Sequence, residues 1–167
     1  SQHALSSAVG AEILAQGGNA VDAAIAVGFS LAVTLPRAGN LGGGGFMLAF
    51  MGGEAAFLDF REKAPGKAER DMYLDEGGNF VQRDSLIGGR ASGVPGTVRG
   101  MWAAHQRFAN LPWKRLLQPA IDLACDVLSQ WGFALTPRTS PPGELVGPGA
   151  CDIQEYEQGR PVLNGDI

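Results

Sequence analysis

Residues 40–61 read "NLGGGGFMLAFMGGEAAFLDFR", and the way this stretch divides decides how the rest of the chain is organised. Four consecutive glycines, Gly42 to Gly45, stand before the apolar run "FMLAFM", and Gly52-Gly53 separates that run from "EAAFLDF". Two short apolar runs joined by Gly-Gly predict a β-hairpin, because the favoured two-residue turn needs positive φ at both central positions. Neither run alternates cleanly between apolar and polar, which predicts a sheet covered on both faces. The glycine run is not a phosphate cradle: a P-loop carries a Lys and a hydroxyl after its last glycine, and here Phe46 and Met47 follow. Nor is it a dinucleotide fingerprint, since the glycines lead into a strand instead of joining a strand to a helix. They read as backbone that lies close to packed neighbours, where a Cβ would collide.

Helices flank this hairpin in the sequence. From His3 to Gln16, Leu5, Val9 and Ile13 recur every four residues, the spacing of one apolar helical face. Gly17 and Gly18 stop that helix, and Asn19 follows as an N-cap with Asp22 placed to face the exposed amides of the next one. The stretch "AVDAAIAVGFSLAVTL", Ala20 to Leu35, is apolar nearly all round and predicts a central buried helix. It contains Asp22 and falls short of the roughly 20 residues of a membrane span, and Pro36 ends it. From Arg61 to about Gly96 the chain reads as loop, broken by Pro65, Gly77-Gly78, Gly88-Gly89 and Pro95. Helical pattern returns over Thr97 to Phe108 and in "WKRLLQPAIDLACDVL". There Pro119 predicts a short helix ending at Leu117 and a new one with Pro119 in its first turn.

Residues 134–167 are rich in Pro and Gly and bury little. The expectation is a single incomplete domain over 1–167, with a natural polypeptide that continues past Ile167 or an incomplete stretch near Thr139 to Gly149. On its own such a chain would leave a sheet edge and apolar faces exposed and would self-associate.

The charge balance, 13 Lys and Arg against 17 Asp and Glu with no basic cluster, argues against nucleic-acid binding, which needs a cationic stripe to displace counterions. Cys125 and Cys151 are too few and too far apart for a disulfide scaffold or a CxxC metal site. The opening "SQHALSSAVGAEIL" has no basic segment followed by an apolar core, so no targeting signal is expected in it. Ser1 invites an N-terminal nucleophile reading, yet such nucleophiles open a strand and Ser1 leads into a helix, so a cut or chosen start is expected. His3 and His105 have no Ser or Cys partner at a meaningful spacing. The carboxylates of "LDEGG" and "DIQEYEQG" lack calcium-loop spacing and read as solvated. No metal and no cofactor is implied.

Arg61 has two readings. It leaves the second strand in "LDFREKAP", with Asp59 two positions earlier and therefore on the same face. An Asp59–Arg61 ion pair is the ordinary one. The other uses the planar guanidinium fork to hold a substrate carboxylate bidentately at a cavity rim.

Three segments together carry a family resemblance: "GGNAVDAAIAVGFSLAVTLPRAGNLGGGGFML", "DFREKAPGKAERDMYLD" and "ASGVPGTVRGMWAAHQRF". In order and spacing they resemble the N-terminal part of the large subunit of the γ-glutamyltransferases, from about Leu5 to about Ala124. The resemblance implies an α+β N-terminal-nucleophile hydrolase fold, an αββα sandwich only partly contained in this chain. It further implies a precursor that cleaves itself into two subunits, with a Thr at the start of the small subunit attacking the γ-glutamyl amide of glutathione or a related compound. No catalytic residue is then expected in this chain, which alone would be inactive. Its partners would be the γ-glutamyl small molecule, the rest of the large subunit and the small subunit. Arg61 matches the family's Arg that holds the α-carboxylate of the γ-glutamyl group. Resemblance also favours a periplasmic or extracellular location. Rival readings are a related amidohydrolase of the cephalosporin acylase or poly-γ-glutamate depolymerase type, or a truncated, non-catalytic structural or interaction protein. After "LQPAIDLA" the segment "CDVLSQWGF" departs from the family pattern, and the resemblance is weaker beyond Ala124.

Overall fold

The computed structural model describes residues 1–130 and the backbone of 139–140 and 144–145. The chain divides into two compact units, residues 1–39 with 109–167, and residues 40–108. The Pro/Gly-rich stretch 134–167 lies almost wholly outside the described residues.

The first unit is built on helix α2 (Ala20–Thr34), against which α1 (Ala4–Ala15) and α5 (Trp113–Gln130) both pack. The predicted capping pattern is present. Asn19 accepts from the backbone N–H of Val21 and Asp22 at 2.8 and 3.0 Å, while Asp22 Oδ2 accepts from the Asn19 N–H at 2.8 Å. Asp22 does more than close this box. Fully buried, its carboxylate also accepts from the N–H of Asn110 (3.0 Å) and Leu111 (3.3 Å), pinning the segment that leads into α5. Three backbone donors satisfy a carboxylate whose burial would otherwise be costly.

Ile13, Ile25 and Leu116, one from each helix, are at most 1% exposed, and each such side chain contributes about 1.5–3 kcal/mol by leaving water. The close contact of α1 with α2 depends on Gly10, where a Cβ would stand 2.7 Å from Val27 Cγ2. Beside it Ser6 and Thr34 share a hydroxyl bond of 2.9 Å. Trp113 sets its ring edge-on to Phe29 at 5.5 Å, and Arg115 Nε donates to Gln16 Oε1 at 2.9 Å.

Pro119 does not split α5. The helix runs unbroken from Trp113 to Gln130 with Pro119 inside it, against the expectation of two helices meeting near Leu117. The missing N–H and the clash of the ring with the preceding turn are real costs. They are offset because one continuous helix keeps Leu116 and Ala120, one turn apart on the same face, buried while α5 packs on α2. Among the described residues no cysteine is a free thiol.

In the second unit, β1 (Phe46–Met51) and β2 (Glu54–Asp59) form the predicted antiparallel hairpin, with Phe46 opposite Asp59, Leu48 opposite Phe57 and Met51 opposite Glu54. Gly52 and Gly53 adopt φ of 59° and 87°, the positive values that the turn requires. The two faces of the hairpin differ in covering. Ala49 and Ala56 are buried on one face, whereas Phe46, Leu48, Phe50 and Phe57 are exposed on the other, Leu48 and Phe50 by 76% and 74%. Phe46 and Phe57 stack on that open face at 5.7 Å.

Helix α4 (Thr97–Phe108) packs against β2 with Met101 and Ala104 buried, and Arg107 Nη2 reaches Glu54 Oε1 at 2.8 Å. The segment read as loop holds more structure than breakers alone suggest. It contains a short helix α3 (Gln82–Leu86), a 3-10 turn at Gly89–Ala91, and bridges pairing Lys63 with Val94 and Leu74 with Phe80. A two-stranded pair, β3 (Thr139–Ser140) with β4 (Glu144–Leu145), completes the described elements.

Candidate functional site

Arg61 follows the last strand residue by two positions, and the hairpin ladder continues past it on the side of Phe60. Phe60 donates to the Gly45 carbonyl at 3.0 Å and its own carbonyl accepts from the Gly45 N–H at 3.4 Å. Lys63 and Val94 exchange both backbone bonds, at 3.2 and 2.8 Å. The backbone carrying Arg61 is thus fixed before and after it.

The ordinary reading of Arg61 needs revision. Asp59 is not its ion-pair partner: Asp59 Oδ1 accepts the backbone N–H of Arg61 at 3.0 Å, closing a turn at the strand end. The carboxylate facing the guanidinium is that of Glu62, whose Oε2 accepts from Arg61 Nε at 3.3 Å. The guanidinium carbon also lies 5.8 Å from the centre of the Phe46 ring, within cation–π range. The Glu62 carboxyl is held below its ordinary value of 4.5. Its own backbone N–H is the main cause, partial desolvation opposes, and the Arg61 side chain and the Gly44 N–H add to the lowering.

Nε of Arg61 is engaged and its side chain is 64% exposed, which leaves the two Nη groups. Among the described residues neither has a partner. The two Nη groups can still offer a pair of parallel N–H donors to a carboxylate. Elsewhere in the same unit a shallow hollow of about 340 Å³ is lined by residues including Pro65, Lys67, Met72 and Arg90, and Arg61 is not among them. Arg90 is already committed, donating to Asp84 Oδ2 at 3.2 Å and to the Met72 carbonyl at 3.3 Å.

The remaining candidates make local contacts. Ser1 turns its ammonium to Ser7 Oγ at 2.8 Å, and His105 stacks flat on Trp102 at 5.4 Å. Asp75 is not merely solvated: it accepts from the N–H of Gly77 and Asn79, both at 2.9 Å, and these bonds hold its carboxyl below the ordinary 3.8, Asn79 contributing most. "DIQEYEQG" lies outside the described residues.

The sequence profile described as gamma-glutamyltranspeptidase matches residues 6–140. The chain belongs to the γ-glutamyltranspeptidase family. A glutathione hydrolase proenzyme of Pseudomonas aeruginosa is 59% identical over 116 residues, which cover 70% of this chain and 21% of the relative. One from Escherichia coli is 44% identical over 165 residues, 95% of this chain and 28% of the relative. The crystal structure of Helicobacter pylori gamma-glutamyltranspeptidase, 45% identical, matches with a TM-score of 0.70 over 78% of this chain and 40% of that one. The chain therefore spans under a third of the length of these curated relatives. The fold is the α+β N-terminal-nucleophile sandwich of γ-glutamyltranspeptidases, of which this chain contains a part.

Two residues of the site escaped the sequence reading. Glu62 was overlooked beside the better-spaced Asp59, although its adjacency to Arg61 was a usable signal. Phe60 gave none, because what surrounds it comes from glycines distant in the chain.

Proposed function

We propose that the complete protein containing this chain transfers or hydrolyses γ-glutamyl groups of glutathione and related amides. The chain supplies scaffold and Arg61, and Arg61 binds the α-carboxylate of the donor. The nucleophile is a Thr exposed at the start of the small subunit, outside this chain. Its hydroxyl attacks the γ-glutamyl carbonyl, the amine leaves, and the acyl-enzyme is resolved by water or by an amino-acid or peptide acceptor. The observation that carries the reading is the fork of Arg61, tethered through Nε to Glu62 at 3.3 Å with both Nη groups open. Family membership supplies the reaction class. Among the described residues no helix is long and apolar enough to cross a membrane. A periplasmic or extracellular setting is the one we favour, from the family alone.

Arg61 contributes by position and charge and moves no proton. A donor whose carboxylate is held by two parallel N–H···O bonds is fixed in distance and in rotation, which presents its γ-carbonyl in a constant pose to the nucleophile. In the complete enzyme, Arg61→Lys replaces a fork by a point charge. KM for γ-glutamyl-p-nitroanilide is expected to rise at least about tenfold with a smaller change in kcat. Unchanged kinetics would return Arg61 to a purely structural pairing with Glu62. A glutaryl amide retains the same distal carboxylate and lacks only the α-amine, so Arg61 does not discriminate between the two donors. Preference for the glutaryl amide over the γ-glutamyl one would move the protein to the acylase reading.

A further inference from the structure

We propose that Phe60, seated in a socket of absent side chains formed by Gly45, Gly96 and Gly100, is the positioning residue that aims Arg61. The inference rests on the carboxylate-binding role proposed for Arg61 and extends it to the residues that set its place.

The socket is defined by what would not fit. A Cβ on Gly100 would run into Cβ and Cγ of Phe60, and a Cβ on Gly96 would run into the Phe60 carbonyl oxygen. On Gly45 a Cβ would stand 3.1 Å from Phe60 Cε2. On Gly44 it would lie 2.6 Å from the Phe60 oxygen and 2.9 Å from the carbonyl carbon of Arg61 itself. None of these four glycines has positive φ, so the demand is for clearance and not for an unusual backbone conformation.

The two sides of the socket are also tied together. Gly43 accepts from the N–H of Gly96 and of Thr97, at 2.9 and 3.1 Å, so the glycine run and the start of α4 hold one another while Phe60 fills the space between them.

Successive residues of an extended segment point to opposite faces. Phe60 enters the socket beneath α4, and Arg61, one peptide bond later, emerges on the other face over Phe46. Any shift that the socket forces on Phe60 is therefore transmitted to the root of the Arg61 side chain. The long, exposed guanidinium has no enclosing walls of its own. Its pose depends on this root and on the Glu62 tether.

The test uses the complete enzyme and two donors, γ-glutamyl-p-nitroanilide and its α-carboxamide analogue, which lacks the anionic group that Arg61 would hold. Wild type is expected to favour the carboxylate donor strongly in kcat/KM. Gly100→Ala should raise KM for that donor about tenfold to a hundredfold, leave its kcat within a few fold, and bring the two donors closer together. The double variant Gly100→Ala/Phe60→Ala, which removes Cγ and the ring atoms that the added methyl would meet and leaves only Cβ, should restore part of the preference. Should Gly100→Ala fail to fold, Phe60→Val alone, with the socket underfilled, should lower the same preference. A folded variant with KM and donor preference unchanged overturns the socket proposal while leaving Arg61 in place. A wild-type enzyme indifferent to the α-carboxylate overturns the Arg61 reading first, and the socket proposal with it.

Discussion

The two units of the chain handle apolar surface in opposite ways. In the helical unit α2 is enclosed by α1 and α5, and Ile13, Ile25 and Leu116 are removed from water by residues of the same unit. In the hairpin unit α4 packs on β2 and Ala49 and Ala56 are buried on one face, while Phe46, Leu48, Phe50 and Phe57 stand open on the other. An exposed cluster of four large apolar side chains on one sheet face is unusual for a finished surface. The first unit is closed by its own side chains; the second carries the site and half of its apolar sheet is still open.

The largest expected effect tests the closed side of that contrast. Leu116→Ala removes a fully buried side chain from the α2–α5 contact and should cost about 2–5 kcal/mol, read as a fall in denaturant midpoint at unchanged slope. Leu48→Ala in the 167-residue chain alone should cost under about 0.5 kcal/mol. Equal losses at the two positions would abolish the distinction between the units.

A smaller effect is expected at Asp22. Asp22→Asn keeps the shape but turns an NH2 toward backbone donors, so the N–H groups of Asn19 and Asn110 lose their acceptor. We expect a loss of roughly 2 kcal/mol and weaker amide-exchange protection at Asn110 and Leu111. Undiminished protection would show that apolar packing alone holds the entry to α5.

The smallest effect concerns the hairpin unit and pH. Asp75 has its carboxyl lowered in the folded chain by the N–H groups of Asn79 and Gly77. A lowered value means that its stabilisation is fully present above the ordinary 3.8 and disappears as pH falls through the lowered value. Protection of the Gly77 and Asn79 amides, corrected for intrinsic exchange, should be flat above that pH and decline below it. Decline beginning near neutrality would point to some other group.

Local signals in the sequence were reliable wherever the cause was local. Asn19 with Asp22 marked the start of α2, Gly52-Gly53 marked the hairpin, and Thr97 to Phe108 was legible as a helix. Where the cause lies far along the chain the sequence misled or said nothing. Pro119 predicts a break, and the stripe that α5 lays on α2 overrides it. Two apolar runs marked both faces of the hairpin as apolar, but a strand sequence records which faces are apolar and not which segment covers each. At the candidate site Arg61 could be singled out, but its tether proved to be Glu62 in place of Asp59. The glycines around Phe60 could be counted without showing that Gly96 and Gly100 meet it. The role assigned to Arg61 came from family likeness and stands as a proposal.

The bonds from Asp22 to Asn110 and Leu111 join residues 88 and 89 positions apart, and between them lies the whole contiguous second unit. During synthesis α1 and α2 leave the ribosome long before α5, so the face of α2 that meets Leu116 and Trp113 stays wet while residues 40–108 are being made. Within residues 40–108 the hairpin, its α4 cover and the Lys63–Val94 bridge pair with one another, and these contacts can form as soon as that stretch emerges. The helical unit closes only when α5 arrives, a late, long-range event whose loop-closure cost falls on one buried carboxylate and one helical stripe. A nascent chain arrested before α5 has emerged from the ribosome would therefore display an open α2 to chaperones, and one whose α5 has emerged would hide it.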